Sequence, residues 1–228
     1  MKKSGVPLGH ITERQNFLGI ELIAGPGALI PRKETEILGR SALARLAAVM
    51  PDRGEALVVD VCTGSGNLAL AMALHEPQCR VFAADLSADA VALARRNCVY
   101  TGVEDRVEVR QGDLLEPFDS EEFVGKVDLL TCNPPYISAA KVPKMPREIS
   151  AFEPALAFNG GAFGVSILSK LIREAPRFLK SNSWMCFEVG LGQGMILSQQ
   201  LQKNPAYSAV ETHLDPSGQI RALSVRRT

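Results

Sequence analysis

The sequence predicts a doubly wound α/β fold, and three observations carry that prediction. From about residue 57 onward, short apolar runs alternate with longer amphipathic stretches, the pattern of parallel strands joined by crossover helices. The first apolar run closes in a glycine-rich turn, Gly64-Ser65-Gly66, at the strand-to-helix junction where such sheets bind ligands. The chain has 228 residues, nearly half of them apolar, enough to build one substantial core without disulfides or metals.

Taken in order, the first nine residues read as a loose tail. Phe17 to Ile30 reads as a hairpin turning at Gly25-Pro26-Gly27. A helix follows from about Glu34 to Met50, with Ile37, Leu38, Leu43, Leu46 and Ala47 on one stripe and Pro51 as its stop. Leu57–Val61 is a strand, followed by a helix to about His75. Val81–Ala84 is the next strand, and Ser87 is placed to cap a helix running through Val99. Val107–Arg110 and Val127–Thr131 are further strands. Val165, Leu168, Leu171, Ile172, Ala175 and Phe178 recur at helical spacing. A strand at Trp184–Val189, a helix at Leu191–Leu201 and strands at Ser208–Leu214 and Ala222–Arg226 complete the reading.

Composition narrows the function classes. The 25 basic and 25 acidic residues balance, which argues against a protein held mainly by nucleic-acid phosphates. The five cysteines (Cys62, Cys79, Cys98, Cys132, Cys186) are scattered and odd in number, and read as small buried hydrophobes in a reducing compartment. Neither they nor the three histidines have metal-ligand spacing, so no metal is expected. With no apolar run near membrane-spanning length, a soluble cytoplasmic protein is expected.

Asp60, Cys62, Thr63, Gly64, Ser65 and Gly66 run from the first strand into the glycine turn. A dinucleotide site would carry a third glycine where Ala69 stands, which looser versions tolerate, and a phosphate-binding loop would need a Gly-Lys-Ser/Thr that is absent. S-adenosyl-L-methionine fits better. Asp60 can pair with its amino group, where a pyrophosphate would be repelled. Asp85, followed by Leu86, ends the second strand, where a carboxylate can accept both ribose hydroxyls; Asp113 and Leu114 close the third, beside the adenine edge.

Asn133-Pro134-Pro135-Tyr136 follows the strand ending at Cys132. Two prolines fix φ and force a rigid extended turn. An amide or aromatic amine nitrogen is a poor nucleophile because its lone pair is delocalised. The Asn133 side-chain oxygen and the Pro134 carbonyl can each accept one of its N–H groups, Asn133 also adjoining the cofactor, while Tyr136 offers a flat face. Against a sulfonium methyl, orientation is the main requirement. The residues therefore point to N-methylation of a planar nitrogen.

With these motifs on the page, the chain resembles the release-factor glutamine N5-methyltransferases, the HemK/PrmC family. Phe17-Leu18-Gly19 and Leu29 to Glu36 resemble its hairpin and "LIPRPETE" signature, and Asp60 to Gly66 its "DLGTGSG". Phe152 to Leu156 followed by Gly160-Gly161 resembles "FEPxxALxGG"; Glu188-Val189-Gly190 with Gln193, and Asp215 to Arg221, resemble its closing segments. The resemblance implies a seven-stranded, Rossmann-like class I methyltransferase sheet with its last strand antiparallel. It also implies a first segment, residues 1–50, covering the cofactor site and a catalytic domain over 51–228. Departures are Lys33 for proline, Cys62 for glycine, Ala162-Phe163 for Asp-Gly, and a start almost at the hairpin, without the small helical domain that helps the family dock its release factor. Arg32 and Glu36 are candidates for an ion pair pinning the arm over the cofactor, against the plainer reading of a solvent-facing helix start; Glu153 is a candidate for the substrate mouth. The leading acceptor is a glutamine in a protein with a Gly-Gly-Gln loop. A small-molecule amide, amine or guanidine and, further off, adenine N6 in nucleic acid are the alternatives.

Overall fold

The computed structural model describes residues 6–137, 153–154 and 165–228. A short helix, α1 (Leu8–Thr12), precedes a hairpin of β1 (Arg14–Phe17) and β2 (Ile20–Ile23). Then come α2 (Thr35–Arg53), β3 (Ala56–Val61), α3 (Asn67–His75), β4 (Cys79–Asp85), α4 (Ala88–Thr101), β5 (Val107–Gln111) and β6 (Val127–Cys132). After residue 165 follow α5 (Ser166–Glu174), β7 (Leu179–Glu188), α6 (Gly194–Gln202), β8 (Tyr207–Leu214) and β9 (Ile220–Arg227).

Strands β3 to β9 form one seven-stranded sheet in the order β5-β4-β3-β6-β7-β9-β8. Neighbours from β5 to β7 are parallel, and β9 alone runs against the rest, pairing antiparallel with both β7 and β8. This is the mostly parallel α/β sheet the sequence predicts. Successive strand residues alternate between two cores. Val58, Val81 and Leu129 pack with α2, α3 and α4, whereas Val59, Phe82 and Leu130 pack with α5, α6 and the aromatic cluster of Phe118 and Phe123. The chain order reverses between β3 and β6, so the carboxyl ends of the central strands open into a crevice there.

Several boundaries differ from the sequence reading. The hairpin turns at Leu18-Gly19, not at Gly25-Pro26-Gly27: both residues have positive φ (49° and 83°), and the Asn16 side chain accepts the Gly19 N–H. A leucine in the left-handed region gives no turn signal. Helix α2 continues past Pro51 to Arg53, because a proline in the last turn forfeits only one backbone bond; Gly54, at φ 70°, ends the helix with its N–H on the Met50 carbonyl. The tail holds a helix at Leu8–Thr12, and α6 starts at Gly194 rather than Leu191, after Gly192 at φ 84°. Ser87 caps α4 as expected, accepting the Ala90 N–H.

The hairpin is tied to the sheet layer by Asn97, fully buried on α4. Its Oδ1 accepts the Ile23 N–H at 2.7 Å, and its Nδ2 donates to the carbonyls of Ile23 (3.1 Å) and Ser65 (2.9 Å), joining β2 to the glycine turn after β3. Asn97→Ala strands these buried backbone groups and should lower stability by about 2–4 kcal/mol. Urea denaturation measures this; an unchanged midpoint would show that water replaces the amide without cost.

Candidate active site

The crevice at the carboxyl ends of β3, β4, β5 and β6 holds a cavity of about 270 Å³. Its floor is Cys62-Thr63-Gly64, its side walls are Asp85-Leu86-Ser87 and Gly112-Asp113-Leu114, and Asn133 and Pro135 stand at one end. The segment leaving β2 crosses over it: Gly27, Ala28, Leu29, Pro31 and Arg32 line it, as does Thr35, the first residue of α2. Pro154 and Ile167 close it from the other side.

Asp85 shapes the loop after β3. Its Oδ2 accepts the Gly64 N–H at 2.8 Å and its Oδ1 accepts the Ser87 N–H at 2.9 Å. Burial raises its pKa, and those N–H groups hold it back. The Leu86 N–H is a third donor to this carboxylate, which leaves lone-pair capacity for a ligand hydroxyl. A Cβ on Gly64 would meet only Ala28, at 3.9 Å, so the loop leaves open space at that point. Gly66 serves packing instead: at φ 84° it caps α3, and a Cβ there would lie 3.3 Å from the Ala94 methyl on α4. Cys62 adopts φ 57° without being glycine; the residue lines the cavity, and its thiol meets that of the buried Cys132.

Asp60 is not in the cavity wall. Fully buried, it accepts the Thr63 hydroxyl at Oδ2 and the Thr131 hydroxyl at Oδ1, both at 2.6 Å, lashing the loop after β3 to β6. Asp113 lines the cavity edge, but its carboxylate is taken by Lys170 of α5 at 2.6 Å. Leu86 and Leu114 supply apolar wall; Ser65, Gly66 and Pro134 lie outside the lining.

The arm residues pair differently from the sequence reading. Arg32 does not meet Glu36. Its Nη2 donates to both oxygens of Glu153, at 2.9 and 2.8 Å, and the Glu153 side chain is fully shielded from solvent. Glu36 pairs with Arg40 one turn on and accepts the Leu18 N–H at 3.4 Å, so it holds the hairpin turn by its backbone. The longer-range partner wins for Arg32 because Glu153, buried, has the greater need of a cation. Phe152, Ala155, Leu156 and Gly160 to Phe163 lie outside the described residues.

At the tetrapeptide, Asn133 donates from Nδ2 to the Thr35 hydroxyl at 3.2 Å. Tyr136 does not line the cavity. Its carbonyl accepts from Gln193 at 3.0 Å, Gln193 in turn accepting the Gly190 N–H at 2.9 Å, and its hydroxyl faces Glu188. A Cβ on Gly190 would sit 3.0 Å from the Tyr136 ring, so glycine is what admits the ring. Thr35, Glu188, Asn97 and Thr131 are polar residues the sequence reading left without a role. Buried polar side chains mark them, but only the fold shows what they bond.

Known proteins resolve the family. A family model, the methyltransferase small domain, matches residues 41–151. The release factor glutamine methyltransferase of Clostridium acetobutylicum is 32% identical over 216 residues, covering 94% of this chain and 73% of that protein. That of Moorella thermoacetica is 33% identical over 228 residues, covering 99% and 77%. The chain belongs to the release factor glutamine methyltransferase family. It is an S-adenosyl-L-methionine-dependent methyltransferase. Among solved structures, the N-terminal domain of human METTL16 in complex with SAH superposes with a TM-score of 0.64 at 14% identity, covering 91% of this chain and 75% of that one, a likeness of fold. No helix among the described residues is long and apolar enough to cross a membrane.

Burial pushes the Asp60 pKa up to about 6 against the pull of its two hydroxyl bonds. Between the ordinary carboxylate range and about 6, the folded chain holds a proton there that the unfolded chain has released. The contribution of Asp60 to stability therefore falls as pH rises through that window. Relative to wild type, Asp60→Asn should gain on the order of 3 kcal/mol between pH 4 and pH 7. Urea unfolding of both proteins across that range measures the gap, and a pH-independent gap would contradict the assignment.

Proposed function

We propose that the protein methylates the side-chain amide nitrogen of a glutamine in a release-factor protein, within a Gly-Gly-Gln loop. The observation that carries this reading is the orientation of Asn133: with Nδ2 committed to Thr35, its Oδ1 has no partner among the described residues and can accept an N–H from a group entering the cavity it lines. Pro134 itself lies outside the lining, but it stands between Asn133 and Pro135, which line the cavity, and on that placement its carbonyl is assigned as the second acceptor. Two acceptors suit a primary amide, which has two N–H groups to give.

Asp85 holds the ribose hydroxyls of the cofactor, the Cys62-Thr63-Gly64 loop its amino-acid portion, and the wall of Leu86 and Leu114 its adenine. Asp60 acts at one remove, through Thr63. Residues 24–35, with Arg32 locked to Glu153, cover the cofactor from above. When bound, S-adenosyl-L-methionine supplies a methyl group on a sulfonium centre. The chain's own residues provide alignment: Asn133 and Pro134 hold the amide plane so that its nitrogen faces that methyl. An amide nitrogen that has accepted a methyl would lose its proton readily to water, so the site needs no strong general base from its own residues. The rate gain comes from orientation, which is worth several kcal/mol.

Mass spectrometry of a release factor after incubation with enzyme and cofactor tests the acceptor: the tryptic peptide bearing the Gly-Gly-Gln glutamine should gain one methyl. An unshifted peptide beside methylated free amino acids or metabolites would replace the protein acceptor with a small one, and labelled RNA or DNA would replace it with adenine. Asn133→Ala should bind cofactor within about twofold of wild type yet turn over roughly a hundredfold more slowly. Retained turnover would remove Asn133 from the mechanism.

A further inference from the structure

An asparagine side chain is nearly symmetric about its terminal bond, and only its neighbours decide whether oxygen or nitrogen faces the cavity. Asn133 must present oxygen if it is to accept a substrate N–H. Thr35, buried at the start of α2, is the group on its other side, 3.2 Å from Nδ2. A hydroxyl has one proton and can donate it in only one direction. If that proton pointed at Asn133, the amide would be drawn round to give its oxygen to Thr35, and the NH₂ would face the cavity.

The direction is decided by Glu188, the last residue of β7, which is 2% exposed. The hydroxyls of Thr35 and Tyr136 both face its carboxylate. Its nearest ion-pair partner among the described residues, Arg221 on β9, stands at 4.0 Å, and its Oε2 is buried without a hydrogen-bond partner among those residues. In its ionised form, which the two hydroxyls favour, a buried carboxylate short of donors claims the protons that face it. Thr35 then has only lone pairs left for Asn133, so Nδ2 turns to Thr35 and Oδ1 to the cavity.

We infer that Glu188 sets the orientation of the Asn133 amide through the Thr35 hydroxyl, and is a positioning residue for methyl transfer although it lines no part of the cavity. The same carboxylate faces the Tyr136 hydroxyl, so one group braces both ends of the tetrapeptide. The mechanistic importance of the orientation rests on the acceptor geometry proposed above; the orientation itself does not.

Two measurements test it separately. Neutron diffraction from deuterated wild-type crystals should place the Thr35 deuteron toward Glu188 and both Asn133 amide deuterons on the atom facing Thr35. A Thr35 deuteron directed at Asn133, or a deuteron on Glu188 directed at Thr35, overturns the inference whatever the acceptor proves to be. In turnover with wild-type acceptor as control, Thr35→Val should lower kcat by tenfold or more, with cofactor Kd and acceptor KM within about twofold. Thr35→Ser, which keeps the hydroxyl, should recover kcat to within about threefold, and Glu188→Gln should lower kcat severalfold with KM unmoved. An unchanged kcat in Thr35→Val and Glu188→Gln, with melting temperatures alone reduced, would make the network structural only. Failure of wild type to methylate the glutamine would sink the acceptor reading and leave the neutron result to decide the relay.

Discussion

The active centre depends on one buried carboxylate that never touches the cavity. Asp60 accepts a hydrogen bond from the Thr63 hydroxyl, in the loop after β3, and another from the Thr131 hydroxyl, two residues before Asn133. Those bonds couple that loop to the strand that precedes the tetrapeptide, so both sides of the cavity are held against one buried group. Burying a carboxylate costs several kcal/mol. Two charge-assisted bonds of about 1.5–3 kcal/mol each offset much of that cost, and what remains appears as the raised pKa.

The same device recurs around the crevice. Asp85 holds Gly64 and Ser87 by their N–H groups, Glu153 holds Arg32 of the crossing arm, and Glu188 faces the hydroxyls of Thr35 and Tyr136. Each acid stands where one element must be held against another, and burial raises the pKa of each. Methyl transfer to an amide needs little acid-base chemistry and a great deal of alignment. A ring of buried carboxyl groups suits that need, because each one, when ionised, only accepts and so dictates which way its neighbours' hydrogens point.

Much of the fold was legible. The apolar runs of β3, β4 and β6 and the helices between them follow from periodicity alone, and Asp60 stands out as a carboxylate in an otherwise apolar strand. The glycine turn and the two prolines located the cavity floor and the tetrapeptide, because both are backbone requirements that few residues satisfy. What escaped were side-chain partnerships between residues far apart in the chain. Arg32 and Glu36 sit at helical spacing and invite pairing, yet a buried acid 121 positions away is the stronger partner for Arg32. Thr35 and Glu188 fall inside family-like segments and Asn97 inside a predicted helix, but none of the three residue types says which partner it bonds. Leu18 and Cys62, at φ 49° and 57°, violate the local rule that would have marked their turns.

The account rests on an amide nitrogen held by Asn133 and Pro134. The most direct test is a crystal structure of the enzyme with the demethylated cofactor and a peptide carrying a Gly-Gly-Gln turn. The glutamine nitrogen should lie about 3 Å from both Asn133 Oδ1 and the Pro134 carbonyl oxygen, facing the cofactor sulfur. A glutamine bound outside the cavity, or one whose carbonyl oxygen rather than nitrogen meets Asn133, would contradict it.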